Sequence, residues 1–266
     1  DPGLGKTSTT LGALKMLFAE KKIKKVLLVA PLRPCYLVWP PELEKWKDFA
    51  GMTMSILHGP KKDQALKENT QIHVINPEGL DWLLGVEKFK SEKTGKKSVK
   101  VDVKRFKQLG YDVLVIDELS KFKNTGSLRF KAIKQVLHTF GRRWGLTGTP
   151  MSNGLMDLFG QVYILDEGAA FSPYITQFRM NYFIQVEPFT WVPIQGADKL
   201  IYQKLKPLVL RRDARECLDL PLLVDNDIFV DLPESTMKIY RELEYHIITM
   251  INNNEVEAWC LPQGQI

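Results

Sequence analysis

Short apolar segments alternate with helical segments over residues 7–150, and this alternation limits the fold more than any other feature of the chain. A strand covered on both faces is apolar throughout, whereas a strand with one wet face alternates apolar and polar residues. Residues 26–30 and 113–116 are continuous apolar runs of the first kind, while residues 7–20 have apolar side chains at helical spacing. We therefore predict an α/β fold with an open, mostly parallel sheet.

The same patterns locate the individual elements. Strands are predicted over residues 26–30, 52–57, 72–75, 113–116 and 144–147, and helices over 7–20, 40–49 and 127–140, the last with Ser127 as its N-cap. After about residue 165 the alternation fades, and helices are predicted over 171–184, 197–206 and 233–253. Residues 88–107 carry nine Lys or Arg against two acidic residues, which predicts an exposed, mobile insertion between two strands.

Composition argues against several classes of protein. Of the 266 residues 44% are hydrophobic, which suffices for a core and argues against disorder. The three cysteines are scattered and the four histidines lack metal-ligand spacing, so we expect a reducing compartment without a disulfide framework or a zinc site. No apolar run approaches about 18 residues, so no membrane partner is expected. The net charge of +6 is compatible with a polyanionic partner.

Most of a phosphate-binding loop stands at the start of the chain, Asp1-Pro2-Gly3-Leu4-Gly5-Lys6-Thr7. In such a loop backbone N–H groups cradle phosphate oxygens, the lysine reaches the β- and γ-phosphates, and the threonine hydroxyl ligates Mg²⁺. The loop normally joins a central strand to a helix, and this sequence has no room for that strand before residue 1. We expect the missing strand to lie outside the chain and the loop to be poorly supported.

Asp117 and Glu118 follow the apolar run 113–116, at the tip of the best predicted strand. A carboxylate there can hold the Mg²⁺ that bridges the β- and γ-phosphates, and the adjacent glutamate can orient and deprotonate the attacking water. In open α/β sheets ligands bind at the carboxyl ends of the strands, where the phosphate loop also lies. The two motifs together predict a nucleoside triphosphatase rather than a solvated strand end.

A third motif points to a family. Leu146-Thr147-Gly148-Thr149-Pro150 resembles motif III of the Snf2 branch of superfamily 2 helicase-like motors. The resemblance extends in order over nearly the whole chain: residues 3–7 as motif I, 30–32 with Trp39, Glu42 and Trp46 as motif Ia, 74–78 as motif Ib, 115–118 with 121–124 as motif II, and 210–212 with 220–221 as the segment leading towards a second lobe. It implies a RecA-like P-loop lobe in residues 1–165, with helices on both faces of the sheet, and a helical extension in 166–266.

The resemblance implies a role for each matched residue. The ATP site would consist of Gly3, Leu4, Gly5, Lys6, Thr7 and Ser8. Thr7 and Asp117 would bind Mg²⁺, and Glu118 would be the catalytic base, assisted by Lys6 and Asp117. Thr147, Gly148 and Thr149 would couple nucleotide state to nucleic-acid contact. Sequence-independent contacts with the nucleic-acid backbone would come from Pro31, Leu32, Arg33, Asn76, Pro77, Lys123 and Asn124.

Motif II departs from the family pattern at one point. Leu119-Ser120 stands where the family often has Ala or Ser followed by His. The histidine that often links motif II to motif III is therefore absent, and a hydrogen bond from Ser120 can substitute for it. The acidic pair that would carry hydrolysis is intact.

Three features have two interpretations each. The basic stretch 88–107 can grip DNA or form a solvated loop. Trp39 and Trp46 favour core packing over a base-stacking platform. Lys121 and Lys123 follow the active-site strand and can serve either nucleic-acid binding or the structure.

The family resemblance leads to a functional expectation. We expect the ATP-binding lobe of a motor that hydrolyses ATP to move along double-stranded DNA, in a prokaryotic or phage-host cytoplasm, or in the nucleus of a eukaryote. A strand-separating DNA or RNA helicase and a nucleic-acid-binding module without turnover are the alternatives. The second RecA-like lobe, with an arginine finger worth roughly 10³–10⁵ in rate, is expected outside the chain, so the isolated chain should hydrolyse ATP slowly.

Overall fold

The computed structural model of the chain describes residues 3–90, 95, 97–188, 190–212, 217, 226, 228–246, 248–251 and 254–257. Two compact units form along the chain, Asp1–Asp219 and Leu220–Ile266. Within the described residues, no helix combines the length and the apolar character needed to cross a membrane.

The central sheet of the first unit has five parallel strands among the described residues. They are β1 (Val26–Val29), β2 (Met54–Ile56), β3 (Ile72–Ile75) and, after a hairpin of β4 (Glu87–Lys90) and β5 (Lys97–Lys100), β6 (Val113–Asp117) and β7 (Arg142–Leu146). The spatial order is β2-β3-β1-β6-β7, and every pairing is parallel. The prediction of a parallel α/β sheet is confirmed, and each predicted strand differs from the observed bounds by at most two residues at either end.

Short helices connect these strands. Those of the first unit are α1 (Lys6–Ala19), α2 (Leu32–Leu37), α3 (Trp39–Lys45), α4 (Lys62–Lys67), α5 (Leu80–Leu83), α6 (Val103–Gln108), α7 (Leu128–Lys134), α8 (Leu158–Asp166), α9 (Ile175–Tyr182) and α10 (Ala197–Leu205). The predicted helix 40–49 is interrupted by extended backbone at Trp46, and the predicted helix 127–140 ends at Lys134. The Ser127 N-cap is confirmed, because its hydroxyl oxygen accepts from the Phe130 N–H at 3.2 Å.

Helices cover both faces of the sheet because the strand residues alternate between two hydrophobic clusters. One cluster joins Leu27 and Ile116 to side chains of α5, α6, α7 and α8. The other joins Leu28 and Val115 to side chains of α1 and α3. A strand buried on both faces must be apolar at every position, which explains the continuous apolar runs.

The prediction of an exposed, mobile insertion over residues 88–107 is wrong for its second half. β4 and β5 pair as an antiparallel hairpin, and α6 follows. Val99, Val101 and Phe106 are buried in the same cluster as Leu27. The prediction from charge alone overlooked these three apolar side chains, which anchor the segment. Ser91–Thr94 and Lys96 lie outside the described residues.

A helix, a two-stranded hairpin and a second helix follow α8. The predicted helix 171–184 is α9, Ile175–Tyr182, and the chain then enters a hairpin of β8 (Phe183–Glu187) and β9 (Thr190–Pro193) that the sequence reading missed. The helix predicted over 197–206 is confirmed as α10. Side chains of α9 and α10 belong to the cluster that also packs on the sheet. The domain boundary at residues 165–166 stays a prediction.

The second unit contains α11 (Glu234–His246) and an antiparallel pair of strands, β10 (Ile248–Ile251) and β11 (Asn254–Glu257). The helix predicted over 233–253 is therefore too long. Three of the four residues of β10, Ile248, Thr249 and Ile251, are β-branched, which favours a strand over a helix. Residues 220–221 and Cys260 lie outside the described residues.

Candidate active site

The phosphate-binding loop leads directly into α1. Gly3 and Gly5 have φ of 78° and 68°, a left-handed conformation that favours glycine. Gly5 is the N-cap of the 14-residue helix, and its carbonyl accepts from the Thr9 N–H at 2.9 Å. No side chain caps the helix at Gly5. The first N–H groups of α1 are thus oriented like those of a phosphate site, where the helix dipole favours an anion.

Asp117 ends β6, and Glu118 turns the chain with φ and ψ both at 60°. Partial burial raises the pKa of Asp117, while a hydrogen bond from Trp39, the Glu118 backbone N–H and the charge of Lys6 oppose that rise. The charge of Lys6 thus acts on the pKa of Asp117, and a site shared by motif I and motif II stays a prediction. Both residues lie at the carboxyl end of the sheet.

Trp39 is the partner of Asp117 that sequence reasoning missed. The indole ring is fully buried, and its Nε1–H donates to Asp117 Oδ2 at 3.0 Å. Core packing was the favoured interpretation of Trp39, and the burial agrees with it. The hydrogen bond spans 78 positions of sequence, so no local pattern announces it. Trp46 is instead 42% exposed and donates to Glu42 Oε1 at 2.7 Å.

A hydrogen-bond network links motif II to motif III. Ser120 Oγ donates to Glu118 Oε1, and Thr147 Oγ1 donates to the same oxygen at 3.2 Å. The Thr149 N–H in turn donates to Thr147 Oγ1 at 3.3 Å. Ser120 therefore forms a hydrogen bond within motif II, and the link from motif II to motif III is made by Thr147, so the substitution of Ser120 for the family histidine stays a prediction. Within the described part of the chain, Glu118 Oε2 has no hydrogen-bond partner.

The predicted nucleic-acid contacts differ in exposure. Leu32 and Arg33 are exposed at the start of α2, just after the carboxyl end of β1, with Pro31 as the helix N-cap. Asn76 and Pro77 are buried, and Asn76 Nδ2 donates to Glu78 Oε2 at 2.9 Å. Any contact by this pair would need the backbone or a rearrangement, whereas Arg33 is free of that constraint.

Lys123 and Asn124 are engaged within the protein. Lys123 Nζ lies 3.0 Å from Asp157 Oδ2 and donates to Ser152 Oγ at 2.7 Å. Asn124 Oδ1 accepts from the Gly126 N–H at 2.9 Å, which closes a turn. The ion pair ties the segment after motif II to the loop after motif III, so it supports the structural interpretation of Lys123.

The chain that follows motif II also lies close to α8 at Gly160. A Cβ atom at Gly160 would lie 2.5 Å from the carbonyl oxygen of Lys123 and 2.8 Å from that of Phe122. Such distances require the backbone to shift. Glycine at this position therefore permits α8 to pack directly against the chain that follows the acidic pair.

The side chains at this edge suit Mg²⁺ better than a metal held by protein alone. Among the described residues no cluster of three or more His, Cys, Asp or Glu side chains is placed to bind a metal. Mg²⁺ usually takes one or two protein carboxylates and completes its shell with phosphate oxygens and water. Asp117 beside the phosphate loop, with the Thr7 hydroxyl at the start of α1, fits that pattern.

Comparison with known proteins decides the family. Residues 1–261 match the SNF2-related domain. The chain belongs to this family. It is an SNF2-family ATPase lobe of the helicase-like, DNA-binding class, and membership implies ATP as its nucleotide.

Several relatives are similar over most of this SNF2-related domain. Protein p41 of Acyrthosiphon pisum secondary endosymbiont phage 1 is 28% identical, over 96% of this chain and 55% of its own length. The chromatin remodeling factor mit1 of Schizosaccharomyces pombe is 24% identical, over 94% of this chain and 16% of its own length.

A solved structure shares the fold. The Sulfolobus solfataricus SWI2/SNF2 ATPase core in complex with dsDNA superimposes with a TM-score of 0.61 at 23% identity, covering 92% of this chain and 46% of that one. The SNF2-related domain therefore spans about half the length of p41 and of this archaeal core, and a smaller part of mit1.

Proposed function

We propose that this SNF2-related domain is the ATP-binding lobe of a motor that hydrolyses ATP to move along double-stranded DNA. The observation that carries the proposal is the Glu118 carboxylate, held at Oε1 by Ser120 and Thr147 and set beside Asp117 and the phosphate loop. The arrangement leaves Oε2 to accept a proton from an attacking water. A solvated glutamate at the end of a strand, with no catalytic role, would not need two hydroxyl donors on one oxygen.

Each side chain has a role in this proposal. Lys6 neutralises charge on the β- and γ-phosphates, which the N–H groups at the start of α1 hold by their backbone dipoles. Thr7 and Asp117 would hold Mg²⁺, which, when bound, neutralises the charge that develops on the phosphate oxygens. Thr147 connects the catalytic base to the motif III turn, so a displacement of that turn can change the position of the carboxylate.

Double-stranded DNA is the partner that the relatives favour. The archaeal SWI2/SNF2 core was crystallised with dsDNA, and the exposed Arg33 of this chain lies at the carboxyl end of the sheet. We propose that the parent protein also supplies a second RecA-like lobe, because the chain spans only 55% of p41. The phage relative supports a prokaryotic cytoplasm as the location.

The proposal is tested in the complete protein with Glu118→Gln. Hydrolysis should fall by at least about 100-fold while ATP affinity is retained, because the substitution removes the proton acceptor and keeps the shape. Glu42→Gln is the matched control, since Glu42 pairs with Trp46 on the surface and should leave both quantities unchanged. Normal hydrolysis by Glu118→Gln would contradict the catalytic assignment.

A second comparison addresses the nucleic acid. ATPase activity of the complete protein is measured with duplex DNA, single-stranded DNA and RNA. Stimulation by duplex DNA is expected. Stimulation by RNA alone would favour an RNA helicase, and absence of turnover with any of the three would favour a binding module, so either result would overturn the proposal.

A further inference from the structure

The hairpin of β4 and β5 carries two lysines in an unfavourable arrangement. Lys90 and Lys97 stand directly opposite each other in the antiparallel ladder, and both are exposed. Like charges in that position destabilise a hairpin. Among the described residues no carboxylate forms an ion pair with either lysine. Within the described residues the two lysines thus keep a repulsion that a negatively charged partner would relieve.

The other two lysines of the ladder are compensated. Lys88 Nζ lies 2.7 Å from Asp81 Oδ2, and Lys100 is opposite Glu87. The uncompensated pair is at the end of the ladder away from Glu87 and Lys100.

Packing fixes the hairpin on the protein. Val99 is only 6% exposed, and its carbonyl accepts from Gln135 Nε2 at 3.0 Å. The Val101 N–H donates to Gln135 Oε1 at 3.2 Å. A lysine on an anchored strand loses less conformational entropy on binding than one on a free loop, so the anchoring favours a binding role.

The contacts with α7 show where the uncompensated pair lies. Lys131, at the middle of α7, donates from Nζ to the Lys97 carbonyl at 3.1 Å, whereas Gln135 beyond the end of α7 contacts Val101. Lys97, and Lys90 opposite it, therefore lie nearer the start of α7 than Val101 does, and α7 follows the motif II segment at the carboxyl end of β6. Lys131 adds a third ammonium group there.

We propose that Lys90, Lys97 and Lys131 form a phosphate-binding surface for the duplex DNA on which the motor moves; this rests on the proposed function above. Ammonium groups on one anchored surface can contact the phosphates of a nucleic-acid backbone, and such contacts carry no sequence preference. The surface would extend the contact made at Arg33 to a second site at the same end of the sheet.

The test uses the complete protein with the double substitution Lys90→Gln and Lys97→Gln. Lys88→Gln with Lys100→Gln is the matched control, because it removes the same charge from the same hairpin at compensated positions. The dissociation constant for a fluorescent blunt duplex is measured by anisotropy between about 50 and 200 mM salt. The slope of log K against log salt should become shallower by about 1.8 in the double variant, at about 0.9 per lost phosphate contact, and by much less in the control.

The outcomes separate this inference from the function on which it rests. Duplex-stimulated ATPase with an unchanged salt slope in the double variant would refute the lysine surface and leave the motor intact. Equal slope changes in the double variant and the control would refute the assignment to Lys90 and Lys97. Failure of the unsubstituted protein to bind duplex would refute both. The double variant should unfold at a temperature at least as high as the parent, because the repulsion between Lys90 and Lys97 is removed. A lower unfolding midpoint would mean that the loss of binding comes from misfolding, and it would contradict the repulsion on which the inference stands.

Discussion

Replacing Trp39 with phenylalanine should destabilise the domain by about 2–4 kcal/mol. Trp39 is fully buried and donates to Asp117 at 3.0 Å. A hydrogen bond to a charged acceptor contributes about 1.5–3 kcal/mol, and its loss leaves the partly buried carboxylate with one donor fewer. Phenylalanine also leaves space where the indole was wider, which adds the cost of a small cavity. The two effects act in the same direction.

Trp46→Phe provides the matched control. The same replacement is made seven positions further along the chain, but Trp46 is 42% exposed and its partner Glu42 is partly exposed. A surface pair of this kind contributes about 1 kcal/mol or less. Free energies of unfolding from urea titration of the two variants should therefore differ by at least about 1 kcal/mol. Equal values would refute the assignment of Trp39 as an anchor of Asp117.

A double-mutant cycle separates the hydrogen bond from the cavity. Trp39→Phe and Asp117→Ala are combined, and the coupling free energy is expected at about 1–3 kcal/mol. A coupling near zero would mean that only the ring volume counts. In the complete protein Trp39→Phe should also raise the Mg²⁺ concentration required for tight ATP binding, because Asp117 would be less firmly oriented.

Three further outcomes are expected. Gly160→Ala should destabilise by about 1–3 kcal/mol in urea unfolding, because the new methyl meets backbone carbonyls, whereas Gly12→Ala, 4.0 Å from its nearest neighbour, should be neutral or stabilising; equal effects would contradict the contact. Burial and the charge of Lys25 lower the pKa of His73 from 6.5 to about 4, so the folded state is stabilised by neutral His73 above pH 6.5 and loses up to about 3 kcal/mol of unfolding free energy as the pH falls to 4. His73→Phe should reduce this acid sensitivity. Parallel pH profiles of the unfolding free energy for the variant and the parent would contradict it. Ser120→Ala should lower kcat of the complete protein about tenfold at unchanged ATP affinity, and an unchanged kcat would show that the bond to Glu118 is dispensable.

The sheet was predictable because its strands are buried on both faces. Val26–Val29 and Val113–Asp117 show that pattern as continuous apolar runs. β4, with the sequence Glu-Lys-Phe-Lys, has no such signal, and its pairing depends on a partner strand that also carries charged residues. The hairpin of β8 and β9 was missed for the same reason, since most of its residues are exposed.

The motif residues of the site could be named from the sequence, but their connections could not. Lys6 and Asp117 come from ordered motifs whose chemistry is known by type. The bond from Trp39 to Asp117 and the ion pair of Lys123 with Asp157 join positions 78 and 34 residues apart. Only the packing of α3 and α8 against the sheet brings these hydrogen-bonding and ion-pair partners together. The spacing of residues in a single sequence does not predict that packing.

The link between Thr147 and Glu118 has a consequence for control. Its length of 3.2 Å exceeds the usual 2.5–3.0 Å of an O–H···O bond. A movement of roughly 0.4 Å would therefore convert this long hydrogen bond into one of ordinary length. Catalytic hydrogen bonds often shorten only when substrate is bound. The ladder between β6 and β7 runs up to the pair Asp117 and Leu146, immediately before Glu118 and Thr147. The backbone that carries these two side chains is therefore held in place by strand pairing. A displacement this small can transmit binding at a distant site to Glu118 only if the intervening structure is rigid. Here the paired strands of the sheet provide that rigidity.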